Sequence, residues 1–245
     1  MTKYYYDLHV HSCLSPCADD DMTPNNIAGM ATLKGLQIVA LTDHNSCKNC
    51  PAFFEACKRQ GIIPIAGMEL STAEDIHLVC LFEDLADAMR FDTEIHSKLM
   101  NVKNRPEIFG NQLVLDGNDE IIATEDKLLI SATEMWIADA VKLARQYGAH
   151  VHPAHIDRES NGILSILGDI PREYGFDCLE FNNLENVEDI NVKYPDTRGA
   201  LTVVSSDAHH LWDINEADNY VMLDDEPYSS SLVRKRLFEY LNGHN

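Results

Sequence analysis

"YDLHVHSCLSPC", residues 6–17, sets two histidines and two cysteines within the span from His9 to Cys17. The stretch that begins at Tyr4 reads as a strand. His9 and His11 stand at i and i+2, so on a strand both imidazoles leave the same face. Two imidazoles on one face can grip one metal ion. They can equally sit satisfied on a half-buried strand, and the pair alone does not choose. What recurs downstream decides between these readings.

Strand and helix alternate along the chain. Thr23 reads as an N-cap, with Pro24 at the first helical position and Gly35 as the stop of a helix. "LQIVALTDH" is a buried strand, and "CPAFFEACKRQG" carries a helix. "IIPIAGMEL" and "DIHLVCLF" are further apolar strands, followed by a helix over about Leu85 to Met100. "DGND" between two apolar runs marks a β-hairpin inserted at about residues 111–130. The alternation then resumes with "WIADAVKLARQYG" (helix), "AHVHPAHI" (strand), "GILSILGDI" (short helix), "FDCLEF" and "LTVVSSDAHH" (strands) and "SSLVRKRLFEYLNG" (helix). Such a series predicts an α/β fold, a distorted (β/α)7 TIM-like barrel in one domain spanning residues 1–245. An open doubly wound sheet is the alternative, though no glycine-rich nucleotide loop supports it.

The 245 residues can bury a full core, and 45% hydrophobic with 24% charged is an ordinary globular composition. No apolar run is long enough to span a bilayer, and "MTKYYYDLHV" lacks the basic and apolar regions of a signal peptide, so a cytoplasmic location is expected. Seven cysteines without a secretory signal argue for thiols or metal ligands over disulfides. A net charge of −21 predicts no extended nucleic-acid surface. It also requires something local, such as divalent cations, to attract an anionic substrate.

The chemistry-bearing residues fall at strand ends. His9 and His11 close the first strand, Asp43 and His44 the second, and Glu69 the third; His77 lies on the fourth. His155 ends "HPAHI", and Asp207 and His209 follow the last apolar strand. The carboxyl ends of barrel strands meet at one face, where active sites are built. Scattered capping or core histidines have no reason to choose these positions together, so a shared metal centre is the better reading.

"DLHVHS", "LTDHN", "GMELS", "IHLVCLF", "PAHIDR" and "SSDAHH", in this order, resemble the motifs of the polymerase and histidinol phosphatase (PHP) family of metal-dependent phosphoesterases. The resemblance spans about Tyr6 to His210. It implies two or three divalent ions (Zn, Mn or Fe) at the carboxyl ends of the strands. His9, His11, Glu69 and Asp207 would hold the first ion. Glu69 would bridge to a second ion held by His77 and His155, and His44 and His209 would hold the third with a ligand from the loop after "HVHS". His155 has the family's spacing, while His152 and His150 form a rival pair at i, i+2. The departure from the family is Ser15-Pro16-Cys17, where many members carry Ser-Asp-Gly. Cys17 sits six residues beyond His11 and would favour a softer metal; Asp19, Asp20 and Asp21 compete as oxygen ligands. A separate four-thiolate site from Cys13, Cys17, Cys47 and Cys50 is an alternative, and Cys57, Cys80 and Cys178 read as small core residues.

The resemblance implies a hydrolase for a small phosphomonoester, nucleotide or histidinol-phosphate-like, acting through a metal-activated hydroxide at a di- or trinuclear site. The expected partner is thus a small phosphorylated substrate, with no membrane. Asp207 and His209 are the catalytic candidates, His209 as a proton donor to the leaving alkoxide. Arg158 would clamp the phosphate, or pair with an acidic neighbour on the surface. Glu180 and Asn182 share a face and would order the site from behind, or Glu180 would be buried against an imidazole. An amidohydrolase-like hydrolase and a non-catalytic metal-binding regulatory protein are the alternatives, since fold alone does not fix function.

Overall fold

The computed structural model describes residues 1–243. In chain order the elements are β1 (Thr2–Val10), α1 (Pro24–Leu33), β2 (Ile38–Leu41), α2 (Cys50–Gln60), β3 (Ile63–Ser71), β4 (His77–Phe82) and α3 (Leu85–Lys98). The short helix α4 (Pro106–Phe109) precedes β5 (Leu113–Leu115) and β6 (Ile121–Thr124). After these come α5 (Ile137–Gln146), β7 (His150–Pro153), α6 (Ile163–Leu167), β8 (Cys178–Phe181), α7 (Asn186–Lys193), β9 (Leu201–Val204), β10 (Tyr220–Leu223) and α8 (Ser230–Leu241). Thr23 caps α1 by accepting the Asn26 N–H, and Pro24 opens the helix.

Six strands form one curled sheet in the order β10-β1-β2-β3-β4-β7, and β8 and β9 pair separately in parallel. The strands are apolar on both faces because each face meets a different core. In β2, Ile38 and Ala40 point into an inner cluster with Leu8, Ile65, Leu81 and Val203, which α8 covers with Val233 and Leu237. Val39 and Leu41 point the other way, toward Ile27, Phe53 and Phe91 of the surrounding helices. A run buried on both faces is what a strand between two layers requires.

The sheet is mixed and curled, consistent with the distorted TIM-like fold expected, but its ladder does not close into a full (β/α)7 barrel among the described residues. β1, β2 and β3 are parallel, but β4 runs antiparallel to both β3 and β7, and β10 runs antiparallel to β1. The cause is the link between β3 and β4. Residues 72–76 make a tight turn, whereas a parallel crossover needs about a dozen residues or more. The reversal brings the amino end of β4, where His77 sits, to the carboxyl end of β3. From the other side, Val10 bridges to Ala208 and the Asp7 carboxylate accepts the N–H groups of Ser206 and Asn215, which holds the segment after β9 against β1.

Residues 111–130 contain the antiparallel pair β5-β6, which packs over the loop that follows β1. Leu113 donates its N–H to the Cys13 carbonyl, and Leu14, Leu99, Val114 and Leu129 form a small core beneath. Gly110 is the tightest point of this contact. Its φ is +99°, and a Cβ there would lie 2.0 Å from the Pro16 carbonyl oxygen. Gly110→Ala is therefore expected to destabilise the chain by about 1–3 kcal/mol through backbone strain and overpacking. A urea titration would show this as a lower midpoint at unchanged slope.

Candidate metal centre

The centre is built around one buried carboxylate. Glu69, near the end of β3, directs Oε2 at His44 Nδ1 (2.9 Å), His11 Nε2 (3.2 Å) and His9 Nε2 (3.5 Å). Its Oε1 faces His77 Nδ1 (2.7 Å) and His155 Nε2 (3.1 Å). Asp207 adds Oδ1 at 3.1 Å from His11 Nε2 and 3.4 Å from His9 Nε2. The Arg158 guanidinium pairs with the other oxygen of Asp207, and the His209 ring stacks on His11 at 4.2 Å between centroids. His155 and Asp207 both lie in the left-handed region, at φ 28° and 54°. Non-glycine residues are held there only when their surroundings over-determine them, and such positions cluster at functional sites.

The hydrogen bonds on the far side of each ring decide which nitrogen faces the centre. His9 Nδ1–H donates to Glu180 Oε1 (2.8 Å). Ser15 Oγ donates to Asp43 Oδ1 (2.7 Å) and so accepts from His11 Nδ1–H (3.0 Å). His209 Nδ1–H donates to the Asp207 carbonyl oxygen (2.8 Å), which can only accept. All three rings thereby present an Nε2 lone pair to the centre, as metal-ligating histidines do. Asp43 faces Ser12 and Ser15 and lies behind the ligands. Asn182 faces Asp157 and Ser205 and takes no part.

Charge is concentrated here. Burial raises the Glu69 carboxyl, but His77, His9 and His44 outweigh it and hold the group well below the usual carboxylate range. Burial lowers His11, yet the carboxylates of Asp207 and Glu69 bring it up to about 9, and Glu180, Glu69 and Asp207 lift His9 likewise. His44 falls to about 4, chiefly through burial and the His11 charge. His209 falls to about 3 for the same two reasons, so its ring is neutral at neutral pH.

Whether these residues fit a cation can be asked of the structure itself. His9 Nε2 and His11 Nε2 approach to 3.1 Å, a spacing that admits one proton between two nitrogens that both want a positive partner. His155 Nδ1 is buried without a hydrogen-bond partner, in a class of group that is almost always satisfied. Donor atoms converge within 4.8 Å of one another in three sets: His9, His11, Glu69 and Asp207; His44, Glu69 and His77; and His11, His44 and His209. A mixed imidazole and carboxylate set suits Zn, Mn or Fe, so the residues fit divalent ions.

Nine residues were expected at the metals, and the structure brings eight of them together. The ninth, Cys17, is exposed and joins none of these sets. His11 takes its place beside His44 and His209. The four-thiolate alternative does not assemble among the described residues: none of Cys13, Cys17, Cys47 and Cys50 joins a set of converging donors, and Cys47 Sγ donates to the Gly67 carbonyl. Asn161, which lines a cavity of about 150 Å³ with His44, His77, His155, Arg158 and His209, carried no signal in the sequence beyond its neighbourhood to His155.

A profile of the PHP domain matches residues 7–161. The chain belongs to the PHP family. That family is one of metal-dependent hydrolases, in keeping with the clustered donors. A 5'-3' exoribonuclease of Haemophilus influenzae is 37% identical to this PHP chain over 84 residues, 33% of this chain and 29% of the exoribonuclease. The lesion-specific endonuclease PfuEndoQ from Pyrococcus furiosus superposes with a TM-score of 0.67 at 17% identity, over 100% of this chain and 57% of that one. A structure of Endonuclease Q in complex with a 27-mer duplex substrate, with an abasic lesion at the active site, gives a TM-score of 0.63 at the same 17% identity and the same coverage of 100% and 57%. The chain thus spans little more than half of these structural relatives and matches under a third of the exoribonuclease. These relatives overturn the expectation of a small phosphorylated partner with no extended nucleic-acid surface, because the names they carry are those of enzymes of DNA and RNA. The low identity of the structural relatives speaks for the shared fold alone. No helix among the described residues is long and apolar enough to cross a membrane.

Glu180 was legible only as one of two alternatives, and it lies fully buried between His9 and His152. Glu180→Gln keeps the shape but loses the charge that orients His9. It is expected to weaken metal retention by roughly 10–100-fold, read by competition with a chromogenic chelator.

Proposed function

We propose that this chain hydrolyses phosphodiester bonds at the end of a nucleic-acid strand, using divalent ions held by His9, His11, Glu69 and Asp207, by Glu69, His77 and His155, and by His11, His44 and His209. The observation that carries this reading is Glu69, whose two oxygens face five imidazoles. Divalent ions there would supply Lewis acidity toward a phosphoryl oxygen and make a water molecule nucleophilic at neutral pH.

The protein's own groups orient the reaction. Arg158 lies at the cavity rim, half exposed, where it can leave Asp207 and take a phosphoryl oxygen bidentately. The Asn161 amide stands beside it. His209, neutral and with Nε2 facing His11 and His44, serves as a ligand rather than as the proton donor expected from its position, so the leaving oxygen takes its proton from water. Ser15, Asp43 and Glu180 keep His11 and His9 in the ligating tautomer.

Size favours a strand end: the cavity of about 150 Å³ beside these donors suits a single phosphoryl group. The test uses metal-loaded protein with end-labelled single-stranded RNA and DNA and an abasic duplex. Stepwise release of terminal nucleotides supports the proposal. Absence of turnover on every one of these polymers, by protein that retains its ions, overturns it.

A further inference from the structure

A second group of donors lies deeper in the fold, and nothing in the proposed reaction uses it. His150 and His152 leave the same face of β7 into the inner core, and Cys178 at the start of β8 meets them there. Their ligand atoms lie within 4.8 Å of one another, and all three residues are buried. His155, just past the end of β7, and Glu180, on β8, lie between this group and the candidate catalytic centre, and Glu180 Oε2 stands 3.8 Å from His152 Nε2.

We infer that His150, His152 and Cys178 form a separate metal site, one that takes Zn²⁺ or a comparably thiophilic divalent ion, and that this site staples β7 to β8. Three observations converge on it. His152 is fully buried, with neither Nδ1 nor Nε2 hydrogen-bonded, and His150 Nε2 is likewise without a partner. An imidazole buried without a hydrogen bond on either nitrogen is rare; His152 Nε2 has only Glu180 Oε2 at 3.8 Å, and a cation in reach of both rings gives their lone pairs an acceptor. His150 Nδ1–H donates to Asn242 Oδ1 (2.9 Å), which leaves the Nε2 lone pair free, as in a ligating histidine whose other ring nitrogen is held by a hydrogen bond.

The third observation is the seam itself. The six-stranded ladder ends at β7, and the next strand in space, β8, belongs to the separate pair with β9. Past the end of β7 the Ile156 N–H reaches the Glu180 carbonyl of β8, but among the described residues no ladder pairs β7 with β8. The donors come from both sides of that gap, two from β7 and one from β8. An ion held by all three would supply the cross-strand link that the ladder lacks.

Two imidazoles and one thiolate are a donor set for Zn²⁺ rather than for Mg²⁺ or Ca²⁺. Binding replaces the Cys178 thiol proton, which leaves to solvent, and uses imidazole lone pairs, so no redox step is involved. The ion's fourth position falls to water, and a path exists. A cavity of about 440 Å³, lined by Arg145, Gly148, His150, Asp177 and Asn242, opens onto His150 from the surface.

The test is a Co²⁺ titration of the metal-stripped full chain, followed by zinc K-edge absorption on the zinc-loaded protein. The candidate catalytic centre offers nitrogen and oxygen donors, so a thiolate-to-cobalt charge-transfer band reports the proposed site. The band is expected in the native chain and in Cys17→Ser, and is expected to vanish in Cys178→Ser together with one equivalent of bound ion. A band that persists in Cys178→Ser, or is lost in Cys17→Ser, overturns the inference. The zinc spectrum of the unaltered protein is independent of how any variant folds. Sulfur at about 2.3 Å is expected, and a spectrum with nitrogen and oxygen neighbours alone overturns the site.

Discussion

Glu69→Gln is expected to abolish turnover, with a loss well beyond ~100-fold, because removal of a mere outer-shell partner already costs roughly 10–100-fold. The substitution preserves volume and one oxygen, so the effect isolates charge. Both Glu69 oxygens face imidazoles, three at Oε2 and two at Oε1, and the amide nitrogen of glutamine would present a donor where an acceptor is needed. In the metal-free chain the same change leaves His9 and His11 short of a counter-charge. Breaking a buried ion pair on one side costs about 3–5 kcal/mol. Elemental analysis should show fewer ions per chain, and thermal melting should show a lower midpoint. A Glu69→Gln chain that keeps both its ions and its activity would remove the carboxylate from the proposed mechanism.

Chelation is the second large effect. Dialysis against a strong chelator is expected to stop turnover, and added divalent ions are expected to restore it. Ions that bind only the folded chain also stabilise it, by about 2.7 kcal/mol at a hundredfold excess over Kd. For a chain of this size each kcal/mol moves Tm by about 2–4 °C, so re-loading should raise the midpoint by about 5–10 °C. The sign follows from the site. Without ions, Glu69 and Asp207 raise His9 and His11 above their ordinary values, so a proton shared between the two Nε2 atoms stands where a bound ion would. A melting midpoint indifferent to chelation and re-loading would show that the clustered donors are satisfied by protons alone.

The positions of the candidate ligands were readable because the alternation of strand and helix is local, and strand ends fall at predictable places within it. His9, His11, His44, Glu69, His155, Asp207 and His209 each close a strand or follow one, and a parallel arrangement gathers such ends at one face. His77 came to the same face for a different reason. It opens β4, and only the reversal of β4 carries an amino end to where the other strands finish. The five-residue connection at 72–76 holds that information, since it is too short for a crossover. β10 and α7 were not foreseen, because "YVML" is too short and "NVEDINVK" too polar to stand out by periodicity.

By itself the sequence determined the alternating architecture, the family and the chemical character of the centre, since these rest on local pattern and residue type. Tertiary structure alone decided the details that depend on distance and direction. It placed Cys17 outside the ligand sets, turned Asp43 toward Ser12 and Ser15, and set Glu180 between His9 and His152. It also separated His155 from His150 and His152, three histidines in one short stretch that spacing could not rank. The side chains of His150 and His152 enter the inner core with Cys178, whereas His155, beyond the strand end and in a left-handed backbone conformation, turns its ring to Glu69. A side chain's direction depends on backbone twist and on neighbours distant in sequence, and one strand can therefore serve two centres.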